Sequence, residues 1–159
     1  MDVLVALAIS IAVLIAGWTY VALGPAALPV WAGIVAWGCF FAAGGKTTGL
    51  TKTIASNLSG VVWAYLAVLA AGRFGTGALP ILVGLAALAM VLQAKIPLLS
   101  FIPGAFLGAA TAVSVINSSG TFSNGPWVST ILALIAGAVL GYLSEMLAGA
   151  ISRPKRASV

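Results

Sequence analysis

Ala27-Leu28-Pro29-Val30-Trp31-Ala32-Gly33 and Ala78-Leu79-Pro80-Ile81-Leu82-Val83-Gly84 are two versions of one word in a single chain. Each opens an apolar stretch that runs to a lysine, Lys46 or Lys95, and then to a second apolar stretch rich in small residues. Behind Lys46 stands Asn57-Leu58-Ser59-Gly60-Val61-Val62-Trp63-Ala64, and behind Lys95 stands Ala105-Phe106-Leu107-Gly108-Ala109-Ala110-Thr111-Ala112. The pattern predicts a duplicated two-helix unit, a common way for membrane proteins to frame a site between repeats.

Around that word, 62% of the 159 residues are hydrophobic and 6% are charged. Such a chain cannot cover a water-facing surface, since soluble domains carry roughly a quarter charged residues. Apolar stretches near 3–23, 28–44, 53–71, 78–94, 97–117 and 127–150 approach the roughly 20 residues needed to cross a hydrocarbon core. The expected fold is therefore an all-α integral membrane protein of six transmembrane helices. Helices 2–3 and 4–5 would form a parallel internal duplication, and residues 1–152 one domain before a short basic tail, 153–159.

Charge sets the expected orientation. With both termini cytoplasmic, Lys46, Lys52, Lys95, Arg153, Lys155 and Arg156 share one side and only Arg73 lies on the other. The net charge of +5 then reads as a topology signal, with no nucleic-acid partner implied. Met1-Asp2-Val3 lacks a basic leader, so the first helix is expected to be retained. Trp18, Tyr20, Trp31 and Trp127 fall near outer helix ends, where an aromatic belt is expected. Small residues at four-residue steps predict close packing: Ala8, Ala12 and Ala16; Gly104, Gly108 and Ala112; Gly137 and Gly141.

The inventory of reactive groups is short. Histidine is absent, aspartate occurs only at Asp2, glutamate only at Glu145 and cysteine only at Cys39, which reads as a packing residue. General acid–base chemistry and metal ligation both need more, so neither an enzyme nor a cofactor or metal site is expected. Gly44-Gly45-Lys46-Thr47 resembles the end of a phosphate-binding loop, but Phe40 occupies the position of its leading glycine.

What remains is a set of polar residues inside apolar helices. Asn57, with Ser56 and Ser59, is either interhelical glue or part of a solute pathway, since an unpaired amide in hydrocarbon costs a few kcal/mol. Trp63 stands near it at mid-membrane, with Thr111 on the second copy. Ser100, Pro103 and Gly104 predict a kink in helix 5 whose freed carbonyls could line the pathway. Glu145, on the small-residue face of helix 6, is either a coupling group or the ion-pair partner of Lys46, Lys52 or Lys95.

Gln93-Ala94-Lys95, the run Leu98-Leu99-Ser100-Phe101-Ile102-Pro103-Gly104-Ala105 and Leu58-Ser59-Gly60-Val61-Val62-Trp63-Ala64 together resemble a family of small bacterial inner-membrane proteins, domain of unknown function 1097. The resemblance covers nearly the whole chain and implies a bacterial inner membrane. Asn57-Leu58-Ser59-Gly60 is also similar to the Asn-Pro-Leu-Ser-Gly element of urea channels, without its proline or their pore signature. That similarity implies a trimer and a neutral amide. The expected function is a homo-oligomeric channel or facilitator for a small uncharged polar solute in the lipid bilayer. A proton- or ion-coupled transporter and a non-transporting scaffold are the alternatives.

Overall fold

The computed structural model describes residues 1–119 and 124–152. Among the described residues there are six α-helices: α1 Val3–Leu23, α2 Val30–Ala42, α3 Lys46–Phe74, α4 Leu79–Leu92, α5 Ile102–Ser119 and α6 Asn124–Ile151. Short 3-10 turns at Thr76–Ala78, Gln93–Lys95 and Pro97–Leu99 join α3 to α4 and α4 to α5. Among the described residues there is no strand. Val3–Leu23, Lys46–Phe74, Thr76–Lys95 and Gly125–Ile151 are long and apolar enough to cross a membrane, while Val30–Ala42 and Ile102–Ser118 are shorter apolar helices. The basic tail, 153–159, and residues 120–123 lie outside the described residues.

Two boundaries differ from the sequence expectation. α3 begins at Lys46, seven residues before the apolar stretch expected near 53–71, so Lys46 and Lys52 ride on its first two turns. Gly44 and Gly45 adopt positive φ, 100° and 65°, and turn the chain directly from α2 into α3. Helix 5 is not kinked at Pro103. It starts at Ile102, so Pro103 sits in the first turn, where the missing N–H breaks no helical bond and frees no carbonyl.

The helices sort into two bodies of three. In one, α1 and α2 lie on α6; in the other, α4 and α5 lie on α3. The interfaces correspond in order of extent: α3 with α5 matches α6 with α2, and α3 with α4 matches α6 with α1. The inward faces correspond as well. Ala32, Gly33, Ala36, Cys39 and Phe40 are buried on α2, and Gly104, Ala105, Gly108, Thr111 and Ala112 are buried at the same spacing on α5. Along α3, Thr53-Ile54, Gly60, Val62, Tyr65-Leu66 and Ala71-Gly72 recur on α6 as Thr130-Ile131, Gly137, Val139, Tyr142-Leu143 and Ala148-Gly149.

This symmetry relates α1–α3 to α4–α6, and it differs from the parallel pairing of helices 2–3 with 4–5. α2 is lined with buried residues, whereas α4, which carries the second Ala-Leu-Pro word, buries only Met90. The two words occupy unlike environments.

Each body is closed at a glycine. A methyl on Gly60 would overlap the Ala105 carbonyl, and one on Gly108 would overlap the Asn57 carbonyl. A methyl on Gly137 would overlap the Gly33 carbonyl in the corresponding crossing of α6 and α2. The expected seams on α5 and α6 thus exist. Ala8, Ala12 and Ala16 are instead exposed on α1, because the buried face of that helix is Ala6, Ser10, Trp18 and Ala22. Trp18 and Trp127 are also packing residues rather than members of a belt. The Trp18 ring covers Gly33 and its N–H bonds to the Val30 carbonyl, whereas Tyr20 is 78% exposed. Gly60→Ala and Gly137→Ala should each cost about 1–3 kcal/mol in detergent unfolding followed by circular dichroism. Gly84→Ala, where an added methyl meets nothing within 4 Å, should stay within about 0.5 kcal/mol of the native protein.

Candidate functional site

α3 presents polar groups in two directions. Toward α4, the Trp63 indole N–H donates to Gln93 Oε1 at 2.9 Å, and Gln93 Nε2 donates to Ser59 Oγ at 2.9 Å. Ser59 in turn donates to the Ser56 carbonyl at 2.7 Å. Ser59 and Trp63 are therefore satisfied members of a relay that fixes the end of α4 against α3. Gln93 completes it, and its signal in the sequence was a lone amide closing an otherwise apolar helix.

Toward α5 and α2 the arrangement is the reverse. Thr53, Ser56 and Asn57, on successive inward positions of α3, are all 0% exposed. Thr53 Oγ1, Ser56 Oγ and both polar atoms of the Asn57 amide lack a hydrogen-bond partner. Asn57 lies at the first turns of α5, where its Oδ1 would stand 3.1 Å from a methyl on Gly104. The Cys39 thiol of α2 lies beside Asn57 without bonding it in satisfactory geometry. Each unpaired buried polar group costs about 1–3 kcal/mol, so three neighbours form an expensive cluster.

The matching turn of α6 lacks this character. Thr130 corresponds to Thr53, but its hydroxyl donates to the Pro126 carbonyl at 2.7 Å. Ala133 and Leu134 stand where α3 has Ser56 and Asn57. The unpaired buried cluster therefore belongs to α3 and has no counterpart on α6. Four atoms that can donate or accept, held in an apolar wall, suit a neutral molecule carrying both kinds of group.

The other expected site residues divide. Gly104 joins Asn57, but Pro103 is exposed at the start of α5, and Ser100 bonds back to the Pro97 carbonyl at 2.8 Å. Thr111 is buried and directs its hydroxyl to the Leu107 carbonyl at 2.6 Å. Glu145 does meet Lys46, though through the backbone: the Lys46 N–H donates to Glu145 Oε2 at 2.6 Å. Gly45 has no side chain to cap α3, so the carboxylate takes that role, favoured by the helix dipole. Lys95 is exposed in the turn beside Gln93 and takes no part in that contact. Among the described residues no group of metal ligands is assembled.

Thr53 and Gln93 escaped the sequence reading. Thr53 could have been found from the Thr-Ile pair that α3 and α6 share, but only once those helices were aligned. Gln93→Leu would leave the Trp63 indole and the Ser59 hydroxyl without their partner. It should cost about 1–2 kcal/mol, read as a lower denaturation midpoint and a shifted tryptophan emission.

Comparison with known proteins places these features in a family. Inner membrane protein YcdZ of Escherichia coli (strain K12) is 34% identical over 152 residues, covering 89% of this chain and 83% of that protein. Uncharacterized protein YahC of the same organism is 36% identical over 125 residues, covering 71% of this chain and 68% of that one. YcdZ of Salmonella typhimurium is 33% identical over 152 residues. No solved structure matches the chain, so the likeness to urea channels gains no support there. The match to the family model spans residues 8–149, with the apolar helices of a membrane protein throughout: the chain belongs to the protein family of unknown function DUF1097.

Proposed function

We propose that this protein is a six-span facilitator for a small, uncharged, polar solute in the bacterial inner membrane, with both termini cytoplasmic. The observation that carries this reading is the row of unpaired, fully buried polar atoms on Thr53, Ser56 and Asn57. A helix that needed only glue would satisfy those groups within the protein, as the Trp63–Gln93–Ser59 relay does. A solute with a carbonyl and N–H or O–H groups supplies what they lack. Amides such as urea and acetamide, and polyols such as glycerol, have that chemistry.

A facilitator is favoured over a coupled transporter because Glu145 is engaged as the cap of α3. Asp2 is likewise engaged, capping α1 through the Leu4 N–H at 2.8 Å. No catalytic role is assigned to any residue. Assembly into a homo-oligomer belongs to the same proposal, since exposed apolar faces on α1 and α4 are available to lipid or to a second copy.

Purified protein in liposomes should admit urea, acetamide or glycerol faster than empty vesicles in a light-scattering swelling assay. Ser56→Ala and Thr53→Val should reduce that entry about threefold to tenfold while leaving unfolding stability equal or higher, because each removes an unpaired hydroxyl. Entry no faster than into empty vesicles for every solute sinks the reading.

A further inference from the structure

The two three-helix bodies meet along α2, α3, α5 and α6. The middle of this seam is apolar and filled by Ala36, Val61, Ala64, Ala112 and Leu134. Asn57 and Cys39 face each other across it, one from each body. Asn57 packs against Gly104 and Gly108 of α5 in its own body and lies beside Cys39 of α2 in the other, so the polar cluster assigned above to the solute borders the seam.

Each end of the seam is closed by a different contact. At the start of α3, the Lys46 N–H of one body donates to Glu145 of the other. Gly44, Gly45 and Lys46 all have positive φ, so the turn wraps the carboxylate. A methyl on Gly45 would stand 3.0 Å from Glu145 Oε2. Nearer the other end, Tyr65 of α3 packs edge-on against Trp127 of α6, ring centroids 5.0 Å apart. In the register relating α3 to α6, Glu145 corresponds to Val68, so the carboxylate contact has no equivalent in the other copy.

We propose that the seam is the route of the solute, with the Lys46–Glu145 contact as its gate at one end and the Tyr65–Trp127 contact as its gate at the other. The inference rests on the facilitator reading and adds how the site is reached. The glycine crossings hold each body together from within, so breaking one gate opens the seam without dissolving either body. Two similar three-helix bodies meeting along one seam suit alternate opening at its two ends. The gates differ chemically: one is a charge-assisted hydrogen bond and the other an aromatic contact.

Cys39 is the chain's lone cysteine, 2% exposed on α2 beside Asn57, and so reports on the seam. The full-length protein is reconstituted and treated with a membrane-impermeant maleimide, in the native form and as Glu145→Gln and Glu145→Ala. Thermal unfolding is followed in parallel. Labelling of Cys39 should rise about tenfold in Glu145→Ala and less in Glu145→Gln, which keeps an amide oxygen for the Lys46 N–H. The rise should come from the face of the membrane where α3 begins. Tyr65→Leu should raise labelling from the opposite face. Equal labelling of native and Glu145 variants overturns the gate, whatever the solute flux. A rise from both faces alike, matched by a fall in melting temperature, also overturns it. Faster one-sided labelling supports the gate. If no solute then enters faster than into empty vesicles, the facilitator reading fails while the opening of the seam stands.

Discussion

The contacts on which this fold depends are those between glycines and backbone carbonyls where α3 crosses α5 and α6 crosses α2. Lipid tails are as apolar as leucine, so burying leucine between helices gains little in a bilayer. Association must instead come from van der Waals contact at short range, which requires positions without side chains. Gly60, Gly108 and Gly137 supply them, and each touches a neighbouring carbonyl so closely that a methyl could not fit. The two crossings fix α5 on α3 and α2 on α6, and the other helices are placed around them.

Hydrogen bonding refines what the glycines fix. In one body Ser10 donates to the Ser144 carbonyl and Trp37 to the Ser144 hydroxyl, which ties α1, α2 and α6 together. In the other, Gln93 joins Trp63 to Ser59 and ties α4 to α3. The bodies thus use similar means at different positions. Against that background the unpaired cluster at Thr53, Ser56 and Asn57 departs from economy, since the other buried polar side chains among the described residues, Ser10, Thr111, Thr130 and Ser144, all bond across helices or to the preceding turn. A costly departure at one place, absent from the related turn of α6, is what the proposed solute site rests on.

Helix existence was legible from the chain because apolar runs of this length have one solution in hydrocarbon. Their ends were less so. Pro103 read as a kink because a proline within a long apolar run removes a backbone bond, yet the chain from Ile96 to Phe101 forms short turns and the helix starts only at Ile102. The start of α3 depends on a carboxylate from α6, so nothing local could reveal it. The Ala-Leu-Pro word is a real repetition in sequence, but α2 is clasped by α6 whereas α4 lies at the edge of the bundle. The repeat that packing respects, between α3 and α6, is more dispersed because only its inward positions are constrained.

By itself the sequence determined the solvent, the helical class and the scarcity of titratable groups, since these follow from composition and from the length of apolar runs. It also determined that Asn57 and Glu145 need partners, because polar groups in hydrocarbon always do. Tertiary structure decided what they meet: the Lys46 backbone for Glu145, and the glycine face of α5 for Asn57, whose amide is left without a hydrogen-bond partner. It likewise decided that α1 and α2 lie on α6 while α4 and α5 lie on α3. Partner choice depends on which helix faces approach within a few ångströms, and that is fixed by glycine contacts between segments far apart in the chain.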